Sequence, residues 1–163
     1  MPPSPQAGIY IDGLNVTALF KEIGLGLAAI LLVTVVHGYF VKRILLRSES
    51  AIHEHSSARR LNSVTIRFYL SIVALVLLHV GEIFIWALSL DVFQLTDNLL
   101  DALLVAGSTY TTVGFEADSL RPGWKFYPVF IAVSGLFNFA WSTSTMMTLL
   151  TQAREALKLP AKH

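Results

Sequence analysis

The chain has 163 residues, of which 54% are hydrophobic and 14% are charged, whereas a soluble domain averages about 45–50% and about 25%. This composition predicts a protein whose main solvent is lipid. The formal net charge is only +1, so the bulk charge indicates neither nucleic acid nor an acidic substrate as a partner. The absence of cysteine excludes disulfides, thiolate nucleophiles and cysteine metal sites.

Three apolar segments approach the roughly 20 residues that a helix needs to cross the hydrocarbon core of a bilayer. They predict an all-α membrane protein with three transmembrane helices. The predicted segments are, in chain order, an extracytoplasmic tail (1–23), a first transmembrane helix (24–46), a cytoplasmic loop (47–65), a second transmembrane helix (66–90), a third transmembrane helix (128–150) and a cytoplasmic tail (151–163).

The distribution of basic residues predicts the orientation of the chain. Six of the 12 basic residues lie in the loop between the first and second spans or at the ends of those spans beside it: Lys42, Arg43, Arg47, Arg59, Arg60 and Arg67. Cytoplasmic loops of membrane proteins are enriched in such residues, so this loop is expected on the cytoplasmic side of an inner (plasma) membrane. The N-terminus is then expected outside and the C-terminus in the cytoplasm. The segment 91–127 is acidic on balance and is expected outside, where it would attract cations.

A short apolar segment follows the second span. Over 95–105 apolar residues recur at helical spacing, but they are too few to cross a bilayer. We therefore expect a short re-entrant helix over 96–108, with Thr96 as its N-cap and Asp97 beside its N-terminus. Hydroxyl residues and glycine replace this pattern directly afterwards. Irregular backbone at membrane depth is tolerated only in a protein interior or along a water-filled cavity, so the sequence predicts a pore here.

The order of span, short helix, Thr112-Val113-Gly114-Phe115 and span resembles the small bacterial pore-loop potassium channels, over roughly 66–150. The resemblance implies a pore domain at 66–150 with an outer helix (66–90) and an inner helix (128–150), to which the helix at 24–46 is an addition. It implies a tetrameric pore, because one loop cannot encircle an ion alone. It also implies a filter at 111–116, in which carbonyl groups replace the water around a dehydrated ion. The implied filter residues are Thr111, Thr112, Val113, Gly114 and Phe115. The last four would bind K⁺, or another monovalent cation, through their carbonyl oxygens.

The sequence departs from the family pattern at Glu116, which replaces the second filter glycine. One alternative is that four Glu116 carboxylates crowd at the pore mouth and repel one another, which would favour protons or divalent ions. The channel would then be weakly selective or divalent-sensitive. The other alternative is that Glu116 turns outward and braces the filter by a hydrogen bond. Asp118 could also provide that bracing.

Polar residues inside the spans are a further signal, since an ionisable group in a membrane is costly and usually faces protein. His79 and Glu82 lie three residues apart in the second span, which places them on one helix face. The resemblance supports a structural pair near the pore helix, and a metal or proton-sensing site is the alternative. His37 in the first span is expected to be an isolated hydrogen-bond partner between helices.

The third span contains small and polar residues that suit a helix beside a water-filled cavity. Gly135 stands near the position where the family has a gating hinge, although a glycine in a membrane helix also permits close packing. Asn138, Ser142 and Thr145 are expected to bound the inner vestibule.

The leading interpretation is therefore a passive cation channel that favours potassium. Its expected partners are copies of itself and membrane lipid, with no soluble partner and no nucleic acid indicated, and no cofactor beyond the bound cation. A non-conducting membrane sensor or accessory subunit is the alternative from another class. An enzyme is not predicted, because no nucleophile-base pair or metal cluster with a plausible cavity is evident.

Overall fold

The computed structural model describes residues 10–11, 14–52, 57–114, 120–121 and 124–158. Within these ranges a short hairpin precedes four helices. The elements are β1 (Tyr10–Ile11), β2 (Leu14–Asn15), α1 (Val16–Ile52), α2 (Ser57–Val92), α3 (Leu99–Tyr110) and α4 (Tyr127–Lys158). The two strands pair antiparallel, with Tyr10 opposite Asn15 and Ile11 opposite Leu14.

Three helices are long and apolar enough to cross a membrane: Val16–Ser48 in α1, Asn62–Val92 in α2 and Tyr127–Glu155 in α4. The prediction of an all-helical chain with three such helices is confirmed. Only 17%, 28% and 33% of the most apolar windows of these helices are buried within the chain. Most of their apolar surface therefore requires lipid or other protein to cover it.

The helices extend beyond the predicted spans. Residues 16–23 and most of 47–65 were expected as tail and loop, but α1 runs from Val16 to Ile52 and α2 begins at Ser57. Likewise, α4 continues past residue 150 to Lys158. These extensions contain no glycine or proline, so nothing in them breaks a helix once the apolar segment has formed it. Loss of hydrophobicity marks where a helix can leave lipid, which need not be where the helix ends.

The short helix α3 begins later than predicted, and its N-cap is Asn98 instead of Thr96. The Asn98 side chain accepts a hydrogen bond from the Asp101 backbone N–H at 2.9 Å and donates to the Asp101 carboxylate at 2.7 Å. Thr96 is buried, and its hydroxyl is 3.4 Å from the Asn98 carbonyl oxygen. Both residue types are good caps, so the choice follows from the turn after α2. In that turn the Leu95 amide bonds back to the Leu90 carbonyl.

The main apolar core lies where α2, α3 and α4 meet. Its largest fully buried members are Trp86, Tyr110, Tyr127, Leu90 and Leu95. Two polar groups of the core are paired across helices. The Trp86 indole N–H donates to the Ser134 hydroxyl at 2.9 Å, and the Tyr127 hydroxyl donates to that of Ser89 at 3.0 Å.

Helix α1 packs against α4 and α2 and approaches α4 closely at Gly26. A Cβ atom built on Gly26 would lie 2.2 Å from the Phe130 ring, so a larger residue there would have to displace that ring. The absence of a side chain allows the two helices to come together at this point.

Glu22 of α1 caps the start of α4. Its Oε1 atom accepts hydrogen bonds from the backbone N–H groups of Phe126 and Tyr127, at 2.6 and 2.7 Å, and the residue is only 2% exposed. The first N–H groups of a helix have no partner within the helix, and negative charge is favourable there. Pro128 occupies the second position of α4, where its missing N–H has no cost.

Replacing Glu22 should therefore destabilise the contact between α1 and α4. In Glu22→Ala two backbone N–H groups, of which that of Tyr127 is buried, lose their acceptor, and we expect a loss of about 1–3 kcal/mol. Glu22→Gln retains an acceptor oxygen and should lose less. Thermal unfolding of the purified chain in detergent measures the difference. The matched control is Glu155→Ala at an exposed position, and equal stability of Glu22→Ala and Glu155→Ala would contradict this interpretation of the cap.

Candidate functional site

Polar residues from all four helices meet in one buried group, which we call the polar cluster. Its members lie at most 8% exposed in the interior of the helix bundle: His37 of α1, His79 and Glu82 of α2, Tyr110 of α3, and Asn138 and Ser142 of α4. Helical spacing explains the pairs within single helices. His79 and Glu82 are three residues apart and Asn138 and Ser142 are four apart, so each pair lies on one helix face.

Glu82 links the four helices. Its Oε1 atom lies 2.7 Å from His37 Nδ1. Its Oε2 atom accepts a hydrogen bond from Asn138 Nδ2 at 3.0 Å and another from the Tyr110 hydroxyl. Oε2 also lies 3.6 Å from His79 Nδ1. A buried carboxylate is very costly unless it is paired and hydrogen-bonded, and these contacts meet that requirement.

His79 connects the other side of the cluster. Its Nδ1 atom lies 2.9 Å from the Tyr110 hydroxyl, and its Nε2 atom lies 3.0 Å from the Ser142 hydroxyl. The same Ser142 oxygen is 3.4 Å from His37 Nε2. These contacts close a loop that runs from Glu82 through His37, Ser142, His79 and Tyr110 back to Glu82, which we call the hydrogen-bonded ring.

The structure brings together residues that the sequence treats separately. The predicted pair His79 and Glu82 lies in the polar cluster. His37, expected to be isolated, is instead a direct partner of Glu82, because α1 packs against both α2 and α4. Tyr110 was missed. Its position at the end of the short helix, immediately before the predicted filter, is the one signal that could have indicated it.

Two imidazoles and a carboxylate form a donor set that transition metals use. One donor atom from each of His37, His79 and Glu82 can be chosen so that all lie within 4.8 Å of one another. However, all four imidazole nitrogens and both carboxylate oxygens already have a protein partner. The geometry therefore favours a hydrogen-bond network over a metal centre.

The predicted vestibule residues do not lie on an open surface of the chain. Asn138 and Ser142 belong to the polar cluster, and Thr145 is 4% exposed, with its hydroxyl bonded to the Trp141 carbonyl at 3.0 Å. The polar face of α4 pairs with polar groups on α1 and α2, and this pairing turns it inward. The side chain of Asn138 keeps one buried oxygen, Oδ1, for which the described residues offer no hydrogen-bond partner.

Gly135 lies at the closest contact between α4 and the end of α3. A Cβ atom at Gly135 would lie 2.1 Å from the carbonyl oxygen of Tyr110 and 3.0 Å from its carbonyl carbon. Only glycine allows this approach. The contact supports the packing alternative for Gly135, and the hinge stays a prediction.

The backbone changes direction immediately after α3. The amides of Thr111 and Thr112 bond to the carbonyls of Gly107 and Thr109, at 3.1 and 2.9 Å. Those of Val113 and Gly114 both bond to the Ser108 carbonyl, at 2.8 and 2.9 Å. Thr112 and Gly114 have φ angles of 64° and 69°, in the left-handed region that favours glycine. The structure thus turns every amide of this segment back toward α3.

The carbonyl groups of the same four residues are placed differently. Within the described ranges no hydrogen bond is donated to the carbonyl oxygens of 111–114. All four residues are exposed, Val113 at 66%. The predicted filter residue Phe115 and the mouth residues Glu116 and Asp118 lie outside the described residues.

Comparison with known proteins gives no matching family model, no matching curated protein and no matching solved structure. The resemblance to pore-loop potassium channels therefore rests on the residues and on the order of the helices.

The Tyr110 hydroxyl should contribute strongly to stability. Tyr110→Phe removes a donor to the buried Glu82 carboxylate and a partner of His79, and we expect a loss of about 1–3 kcal/mol. Tyr39→Phe makes the same chemical change at a residue that is 55% exposed and should be nearly neutral. Unfolding of both variants in detergent tests this, and equal stabilities would show that the ring contributes nothing measurable.

The contact at Gly135 gives a second expectation. Gly135→Ala should destabilise the chain by about 1–3 kcal/mol, the usual cost of overpacking, because the new methyl meets the Tyr110 backbone. Gly81→Ala is the matched control in another long apolar helix, since no described atom lies within 4 Å of its Cβ position. There the change should be neutral or stabilising. Similar melting temperatures for the two variants would refute the close approach.

Proposed function

We propose that the chain is one subunit of a homotetrameric channel that conducts monovalent cations passively across a membrane, with potassium as the favoured ion. The observation that carries this proposal is the backbone at 111–114, which follows a short apolar helix. Its N–H groups are hydrogen-bonded, its carbonyl oxygens accept no hydrogen bond from the described residues, and all four residues are exposed.

The depth of this segment supports the proposal. Tyr110 touches Glu82, which lies ten residues before the end of α2 at Val92, or about 15 Å along the helix axis. It also packs on Gly135, which lies eight residues after the start of α4 at Tyr127, or about 12 Å. With α2 and α4 across a bilayer, the end of α3 would lie near the middle of a hydrocarbon core of about 30 Å.

Carbonyl groups without a hydrogen-bond donor at that depth need another interaction that satisfies their oxygens. A backbone polar group without a hydrogen bond in lipid costs several kcal/mol, and a cation on a shared axis would satisfy such oxygens. One chain offers only one edge of a binding site, so several copies must surround the axis. The C-terminal end of α3 carries partial negative charge and would further favour a cation.

The arrangement also suggests why polar residues are buried beside this segment. Tyr110, the last residue of α3, is held from three sides, by Glu82 and His79 of the polar cluster and by its contact with Gly135. A coordination site that selects among ions requires oxygens in fixed positions. In the proposed channel, the cluster would keep the backbone of 111–114 in place.

Recordings from the purified full chain in planar bilayers under asymmetric potassium and sodium test the proposal. We expect single-channel currents that reverse near the potassium equilibrium potential, and a tetramer by native mass. Gly114→Ala should reduce conductance or selectivity, because a side chain at φ 69° is strained by about 1–2 kcal/mol. Gly81→Ala should conduct like the parent.

Two outcomes would count against the proposal: no current above that of empty bilayers, or a monomeric or dimeric mass, which would favour the accessory-subunit alternative. In the same recordings Glu116→Gly separates the alternatives at the pore mouth. A reversal potential that does not change would leave a dominant Glu116 ring without support.

A further inference from the structure

The hydrogen-bonded ring contains more links than its neutral members have hydrogens. It has five links: Glu82 to His37, His37 to Ser142, Ser142 to His79, His79 to Tyr110, and Tyr110 to Glu82. Four of the links are 3.0 Å or shorter, and the link from His37 to Ser142 is 3.4 Å. A hydrogen bond at a link requires one hydrogen atom between its two heavy atoms. The additional bond from Asn138 to Glu82 uses a hydrogen of the Asn138 amide and does not enter the count.

The available hydrogens can be counted from the side chains. The hydroxyls of Tyr110 and Ser142 supply one each, and a neutral imidazole supplies one because its other nitrogen is an acceptor. The ionised Glu82 carboxylate supplies none. Two hydroxyls and two neutral imidazoles therefore provide four hydrogens for the five links. In this protonation state one link would be left with two facing acceptors and no hydrogen.

We propose that the hydrogen-bonded ring is a proton-binding site, in which His37, Glu82 and His79 together hold one proton more than an ionised carboxylate and two neutral imidazoles do. With this proton every link is complete. It can lie on His37, on His79 or on Glu82, because these arrangements differ only in the direction of the hydrogen bonds around the ring. The proton is thus shared between α1 and α2.

The surroundings favour the same occupancy. Glu82 and His37 are completely buried, and a charge in such a place must be compensated. The extra proton makes the site neutral overall, whereas its loss leaves a net negative charge in the apolar interior. Aromatic rings enclose the site. Phe139 stacks on His79 with ring centroids 4.2 Å apart, and Trp141 lies 5.4 Å from His37.

The titratable groups in contact with Glu82 come from three helices: His37 of α1, His79 of α2 and Tyr110 of α3. The side chains that α4 contributes, Asn138 and Ser142, are uncharged. Tyr39, Arg43 and Arg47 line a groove of about 590 Å³ between α1 and α2, and Glu82 is part of its lining.

The extra proton gives stability a definite dependence on pH. At pH values well above the usual imidazole pKa of about 6.5, the same three side chains in the unfolded chain hold no extra proton. The folded chain then binds one proton more than the unfolded chain, so stability falls as pH rises. While the ring keeps its proton, the unfolding equilibrium constant should increase about tenfold per pH unit.

Glu82→Gln is a matched control for this count. The glutamine amide has nearly the same shape, and its N–H can donate to His37 Nδ1 while its oxygen accepts from Tyr110. It therefore supplies the fifth hydrogen, and the ring closes around two neutral imidazoles. Between about pH 7.5 and 8.5 the variant should lack the tenfold dependence, whereas titrations elsewhere in the chain should contribute equally to both proteins.

The decisive experiment counts the protons directly on the full chain in detergent. At pH 8.5, nitrogen NMR of the imidazoles and infrared spectroscopy of the Glu82 carboxyl should together find one extra proton on the ring. The variants His37→Gln and His79→Gln assign the imidazole signals. The ring contains two of the five histidines of the chain, and these variants separate the signals of those two from the signals of the others.

An ionised carboxylate with two neutral imidazoles in the folded protein at pH 8.5 would overturn the proposal, and so would the same pH dependence of stability in parent and Glu82→Gln. If a variant does not fold, the proton count on the parent chain still decides. The measurement involves no ion conduction, so a chain that fails to conduct would leave the proton count unaffected.

Discussion

The structure depends above all on the burial of one carboxylate among apolar helices. Glu82 is completely buried, and a charge without partners there would cost several kcal/mol. Its contacts come from His37 of α1, Tyr110 of α3 and Asn138 of α4, so the carboxylate can be satisfied only when these helices are correctly placed. Apolar packing alone is tolerant of sliding, since it has little directionality. The hydrogen bonds of the polar cluster are directional and fix how the helices are placed against one another.

The same constraint fixes the end of α3. Tyr110 is held by its hydroxyl in the hydrogen-bonded ring and by its backbone against Gly135. A residue fixed at both its side chain and its main chain has little freedom to rotate, and the backbone turn that follows begins from a defined orientation. The proposed ion path and the proposed proton site are therefore neighbours along the chain, although they rest on separate observations.

The sequence predicts the coarse architecture because the length of an apolar segment is a local property. It also places His79 and Glu82 on one face, since helical spacing fixes that relation. It does not reveal that His37 joins them, because that contact depends on how α1 approaches α4 at Gly26. Helix ends were missed for a related reason. Polar helical extensions outside the apolar segments carry no hydropathy signal, and the choice of Asn98 over Thr96 as N-cap is made by the preceding turn.

The contacts of α1 show that the rest of the chain depends on this helix. By its order of helices, the stretch 66–150 resembles a complete small channel to which the first helix has been added. Yet α1 supplies Glu22, which caps α4, and His37, which completes the ring around Glu82. A truncated chain that began after α1 would expose the start of one helix and leave a buried acid without its partner on α1. The first helix is thus an integral part of the fold, and a chain shortened to the stretch 66–150 would lose contacts that stabilise α2 and α4.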